Sequence, residues 1–131
     1  MKQNLKMMKI VEGTIIKGKD VKKYTNVSEA DQVNGLIIAA ELDAPIYSPC
    51  TGQVANVGGN LLDGNWIRIQ AGLYTYIFNH LHQTFVGTGN IVKKGQLIGN
   101  VGMSGLAIKP HLRYEVNKNF KPINPTDFID I

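Results

Sequence analysis

The stretch Lys109-Pro110-His111-Leu112-Arg113-Tyr114-Glu115 sets a titratable base, a permanent cation and a carboxylate at alternate positions. On a strand, alternate side chains share a face, so His111, Arg113 and Glu115 point one way and Leu112, Tyr114 and Val116 the other. A His-x-His pair on such a strand would aim two imidazoles at one point, as a zinc site requires. Arg113 stands at the second position, and a guanidinium has no lone pair for a metal. A second run sets Tyr74, Tyr76, Phe78, His80 and His82 at every other position, alternating with Leu73, Thr75, Ile77, Asn79 and Leu81. Read as a strand, it presents three aromatic rings and two imidazoles on one face.

These residues allow three kinds of chemistry. His80, His82 and His111 could gather into a three-histidine metal site. Two histidines alone can move protons, typically for a gain of about a hundred- to ten-thousandfold. Tyr74, Tyr76 and Phe78 next to His80, with Arg113 beside His111, form a candidate groove that would hold a glycan or peptide by ring stacking and a charge-assisted hydrogen bond to a carboxylate. The plainer alternative is that the rings are core, that Arg113 pairs with Glu115 or with water, and that His82 points to solvent. Cys50 is the only cysteine, which excludes an internal disulfide and a thiolate cluster. Its place between Pro49 and Thr51 reads as structural and not nucleophilic.

The elements that must position these residues read as strands. A chain of 131 residues with 44% hydrophobic and 18% charged residues fits one domain, expected over 9–131 with a loose segment at 1–8. Fourteen glycines between short apolar runs favour strands and tight turns. Lys9 to Ile16 reads as a first strand ended by Gly18, and only 26–33 permits a helix. Leu36-Ile37-Ile38-Ala39-Ala40 is an unbroken apolar run, as in a strand buried on both faces. Gly58-Gly59-Asn60 and Asp63-Gly64-Asn65 flank a hairpin connection, and Trp66 to Gln70 pairs with Leu73 to Leu81 across Ala71-Gly72. No apolar run is long enough for a signal peptide or a membrane helix. The net charge of +4 gathers in Lys2, Lys6, Lys9, Lys17, Lys19, Lys22 and Lys23, and again in Lys93 and Lys94. That suits either an anionic partner or simple solubility and protection of sheet edges.

From about Pro45 to Phe128 the chain resembles the lysostaphin-type (LytM-like) zinc endopeptidases. Six blocks carry the resemblance in the family's order: Ala44-Pro45-Ile46-Tyr47-Ser48-Pro49, Thr51-Gly52-Gln53-Val54, Asn79-His80-Leu81, Val92-Lys93-Lys94-Gly95-Gln96-Leu97-Ile98-Gly99, Pro110-His111-Leu112 and Lys121-Pro122-Ile123-Asn124-Pro125. The fourth block alone is also similar to biotinyl or lipoyl carriers and to sugar-phosphotransferase domains. The resemblance implies an all-β, mostly antiparallel sheet fold of the lysostaphin/LytM peptidase (duplicated hybrid motif) type, and an ancestry among enzymes that cut peptide cross-links in bacterial cell walls.

The family's ligand motif His-x-Gly-x-Asp aligns with Val33-Asn34-Gly35-Leu36-Ile37, and its second His-x-His histidine with Arg113. The resemblance therefore implies that Val33, Ile37 and Arg113 are lost metal-ligand positions. His80 and His111 match the two histidines that orient or activate water in active members, and remain as relics. A carboxylate buried without its metal costs several kcal/mol, whereas isoleucine there gains roughly 2 kcal/mol from burial. No metal, no cofactor and no catalysis are expected. The implied function is that of a structural or binding module, as other degenerate LytM-like domains act through protein contacts. Expected partners are neighbouring subunits of a larger assembly and cell-wall glycan or peptide, with no membrane segment and no nucleic acid. The expected setting is a phage tail or other virion component, or the bacterial cell wall. The alternatives are a peptidoglycan endopeptidase with an unorthodox metal site and a non-enzymatic regulator of wall hydrolases.

Overall fold

The computed structural model describes residues 9–25 and 35–129. The loose segment at 1–8, the helix candidate at 26–33 and Val33 lie outside the described residues. Ten strands follow in chain order: β1 Thr14–Ile16, β2 Gly35–Ala39, β3 Pro45–Tyr47, β4 Gly52–Asn60, β5 Gly64–Ala71, β6 Tyr74–Thr84, β7 Ile91–Val92, β8 Leu97–Val101, β9 His111–Lys118 and β10 Lys121–Ile123. Short 3-10 turns cover Gly18–Lys23 and Pro125–Phe128. Every pairing is antiparallel, and the main sheet runs β1-β2-β9-β6-β5-β4-β7, with β10 on β9 and β8 joining β6 to β3. The expected all-β antiparallel architecture is present. No helix of the described residues is long and apolar enough to cross a membrane.

Alternation of side chains builds the core. Ile38, Ile67, Ile69, Phe78, Leu112 and Tyr114 come from four central strands and are fully buried together with Ile46, Leu81, Ile98 and Val101. Phe78 and Tyr114 lie opposite each other in the ladder with ring centroids 5.4 Å apart, and the Tyr114 hydroxyl donates to the Phe128 carbonyl at 3.0 Å. On β2 both Ile37 and Ile38 are buried, so this strand is covered on both faces.

The first strand is shorter than its sequence suggests. Residues Ile10 and Val11 are buried in the core but sit before a bend, and the Ile10 carbonyl accepts from Tyr47 N at 2.9 Å. An apolar run can thus be core without joining a ladder. The β4–β5 connection is tied by Asn60, whose Oδ1 accepts from Leu62 N at 2.9 Å and Asp63 N at 2.6 Å. Gly64 then takes φ +67, and a Cβ there would collide with Ser104. That close approach brings the 102–108 loop onto the end of the hairpin.

Truncating Phe78 tests where the core sits. Phe78→Ala is expected to lower the unfolding free energy by about 3–5 kcal/mol. Leu73→Ala, at an exposed turn position, is expected to stay within about 0.5 kcal/mol. Urea denaturation of both variants checks the contrast.

Candidate active-site groove

The side-by-side register of β6 and β9 decides what faces the groove. Tyr76 lies opposite Val116, Ile77 opposite Glu115, Phe78 opposite Tyr114 and Asn79 opposite Arg113. Cross-strand partners share a face. Ile77 and Asn79 therefore join Arg113 and Glu115, while Tyr76 and Phe78 join Tyr114 and Val116 in the core. The expected grouping of Tyr74, Tyr76 and Phe78 beside Arg113 is thus corrected. Tyr74 stacks toward Tyr76 at 6.3 Å and packs on Phe128 at 5.3 Å.

His80 leaves the core face by a different route. Strict alternation would put it with Phe78, yet its φ is +67 and the β5–β6 ladder shifts register between Asn65 and Ile67. A bulge of this kind re-aims a side chain. The His80 ring ends 4.8 Å from the His111 ring, centroid to centroid, at 56°. Nδ1–H of His80 donates to the Ser104 carbonyl at 2.7 Å, and Nδ1–H of His111 donates to the Lys109 carbonyl at 2.9 Å. Because carbonyls only accept, each neutral ring keeps its lone pair on Nε2. Burial pushes the His111 imidazole down to about 4 and also holds His80 below the ordinary histidine value. His111 is fully buried, and its Nε2 has no hydrogen-bond partner among the described residues.

Arg113 is 7% exposed, and its Nε donates to Glu115 Oε2 at 3.3 Å. The same oxygen accepts from Asn79 Nδ2 at 2.7 Å. The guanidinium lies across Gly35: a Cβ on that glycine would stand 2.8 Å from Arg113 Cζ and 2.9 Å from Nε. Ile37 is Arg113's ladder partner on β2. Asn79, Arg113 and Glu115, together with Leu62, Asp63, Arg68, Ile77 and His80, enclose a groove of about 250 Å³. A larger depression of about 800 Å³ is bordered by Glu12, Glu41 and Asp43 and contains none of His80, His111 or Arg113.

The three-histidine grouping does not assemble. His82 is exposed and pairs with Asp43 at 2.5 Å. Among the described residues no three His, Cys, Asp or Glu side chains converge as a metal site would need. Ile37 has no donor atom, and Arg113 puts a fixed positive charge beside the two remaining imidazoles. The described residues do not fit a zinc ion. Cys50 adds no nucleophile, because burial pushes its thiol up to about 11.

Sequence reasoning missed Arg68, Asp63 and Asn79 as groove residues. Arg68 carried a readable signal, since Trp66, Arg68 and Gln70 alternate with Ile67 and Ile69. Asp63 and Asn79 depend on a turn and on cross-strand register, which alternation does not supply.

The depressed histidines make stability depend on pH. The unfolded chain binds protons below about 6.5, whereas folded His111 stays neutral down to about 4. Stability should be full above the unfolded value and fall as pH drops from about 6.5 to 4, by about 3 kcal/mol from His111. Urea midpoints at pH 7 and pH 4.5 check this, and His111→Gln should flatten the difference.

Comparison with known proteins matches this frame. The model of peptidase family M23 matches residues 31–125. The peptidoglycan DD-endopeptidase ShyB of Vibrio cholerae is 34% identical over 92 residues, which are 70% of this chain and 22% of that protein. The chain thus spans about a fifth of the length of that relative. A peptidase M23 structure from Pseudomonas aeruginosa superposes with a TM-score of 0.81 at 27% identity, over 98% of this chain and 52% of the other. The catalytic domain of the prophage-encoded M23 protein EnpA of Enterococcus faecalis gives 0.71 at 26%, over 87% and 89%. Lysostaphin of Staphylococcus simulans shares the fold, with a TM-score of 0.74 at 22% identity over 89% and 49%. With its antiparallel sheet and its groove over one face of β5, β6 and β9, the chain belongs to peptidase family M23.

Proposed function

We propose that this chain is a catalytically inactive M23 domain that works without zinc, as a structural or binding module held by neighbouring subunits of a larger assembly. Arg113 carries the reading. A nearly buried guanidinium, clamped by Glu115 and laid across Gly35, stands where the family resemblance expects a ligand imidazole, and its ladder partner Ile37 stands where it expects a carboxylate. A metal ion at that point would meet a fixed cation in a poorly screened setting.

His80 and His111 remain able to exchange protons, but the metal's share of the chemistry has no substitute among the described residues. A catalytic zinc lowers the pKa of its water from about 15.7 to about 7 and polarises the scissile carbonyl. Two neutral imidazoles do neither. The peptidoglycan-acting relative supports association with the cell wall and a glycan or peptide as ligand. The setting proposed is a phage tail or other virion component; one structural neighbour is prophage-encoded.

One observation favours a second reading, a peptidoglycan endopeptidase with an unorthodox metal site. His80 and His111 are oriented as metal-bound histidines often are, with each Nδ1–H on a carbonyl. That reading needs further ligands, which the described residues do not supply.

Elemental analysis of dialysed protein after zinc loading is expected to give well under one zinc per chain, with no release of fragments from purified peptidoglycan. Stoichiometric zinc with chelator-sensitive cleavage would overturn the inactive reading. The triple variant Val33→His, Ile37→Asp, Arg113→His should raise zinc affinity by at least tenfold, measured by competition with a chromogenic chelator.

A further inference from the structure

Arg68 is a cation prepared for a partner that the described protein does not provide. Its Cζ lies 4.9 Å from the centroid of the Trp66 ring. That ring is itself fixed: Trp66 Nε1 donates to Asn56 Oδ1 at 2.5 Å, and a Cβ at Gly58 would stand 2.7 Å from its Cζ2. The guanidinium is half-buried and forms no ion pair with any described residue. Its Nε is buried and lacks a hydrogen-bond partner. Arg113, the other cation of the groove, is by contrast compensated by Glu115.

A half-buried guanidinium with an unused N–H is expensive unless an anion completes it. The stacked, fixed geometry means that little side-chain freedom remains to be lost on binding. The groove itself selects the anion. Asp63 and Glu115 line the same space and oppose a phosphate dianion. A planar monocarboxylate matches the guanidinium fork. The acceptors favour a ligand that brings N–H groups: Asn79 donates to Glu115 through Nδ2, which leaves its Oδ1 as an acceptor not used by that bond. At about 250 Å³ the space suits the end of a small molecule and not a polymer running through it.

We propose that Arg68 anchors a carboxylate-binding subsite that takes the free C-terminus of a short peptide, with Asn79 accepting from a peptide N–H. The inference rests on the reading of the groove as a binding site without metal. It goes further by naming the ligand class and the residue that selects it.

The test is calorimetric titration of the full chain in EDTA with N-acetyl-D-alanyl-D-alanine and, separately, with its C-terminal amide. The acid is expected to bind at least about tenfold more tightly than the amide, the worth of one charge-assisted hydrogen bond. Added salt should narrow that preference. Arg68→Met, which keeps contact with Trp66, should abolish it, and Arg68→Gln serves the same comparison if the first variant does not fold. Equal binding of acid and amide, binding of neither, a preference that survives both substitutions, or inorganic phosphate displacing the acid at lower concentration than the acid itself each overturns the proposal. Failure of the metal-free reading looks different. There, binding would vanish in EDTA and return with zinc, whatever stands at position 68.

Discussion

Six residue pairs join β6 to β9, and that register divides the molecule. With Phe78 opposite Tyr114, two large rings fall on the core side of the sheet. With Asn79 opposite Arg113, two polar side chains fall on the groove side. A slip of one residue would exchange these sets, exposing the rings and burying a guanidinium among aliphatic side chains, so the apolar demand of the core fixes the polar geometry of the groove. His80 escapes the rule because its residue takes a positive φ beside a bulge. The cost of that conformation, on the order of 1–3 kcal/mol for a non-glycine residue, is offset locally by His80 N bonding to the Asp63 carbonyl at 2.9 Å and Nδ1 to Ser104.

The second organising element is the Asn79–Glu115–Arg113 chain of hydrogen bonds. Removing an arginine's charge from water costs several kcal/mol, and the pair recovers this only where the geometry is good and the remaining polar atoms are satisfied. Glu115 provides the counter-charge, Asn79 holds Glu115, and Gly35 leaves room for the guanidinium to lie flat. Ile37, the ladder partner of Arg113 on β2, asks for no partner at all. The charge of Arg113 is thus met within the groove by Glu115. Among the described residues, the groove cation without an ion pair is Arg68, two strands away.

Much of this was legible in the sequence, and the reason is periodicity. Alternation in Trp66–Gln70, in Tyr74–Leu81 and in His111–Glu115 identified three adjacent strands, and the ordered blocks from Ala44 to Pro125 pointed to the fold. Alternation says which residues of one strand share a face, but it does not say which face of the neighbour they meet. For that reason alternation alone sets the rings of Tyr74, Tyr76 and Phe78 beside Arg113, whereas Tyr76 and Phe78 lie on the opposite, core face. Likewise, no local pattern announces that His80 will turn through a positive φ, since the turn is imposed by Ser104 and Asp63 from distant loops. Ile10 and Val11 show the converse: both are buried without joining a ladder, because tertiary packing needs only that the side chains reach the core.

Cys50 has a consequence for where such a chain can travel. Burial keeps its thiol near 11, so at neutral pH only about one molecule in ten thousand carries the thiolate that exchanges with disulfides or reacts with peroxide. Copies crowded side by side under oxidising conditions would cross-link slowly, and a reducing environment would find no bridge to break. No internal disulfide holds the fold, and its single thiol is partly shielded by packing against the core.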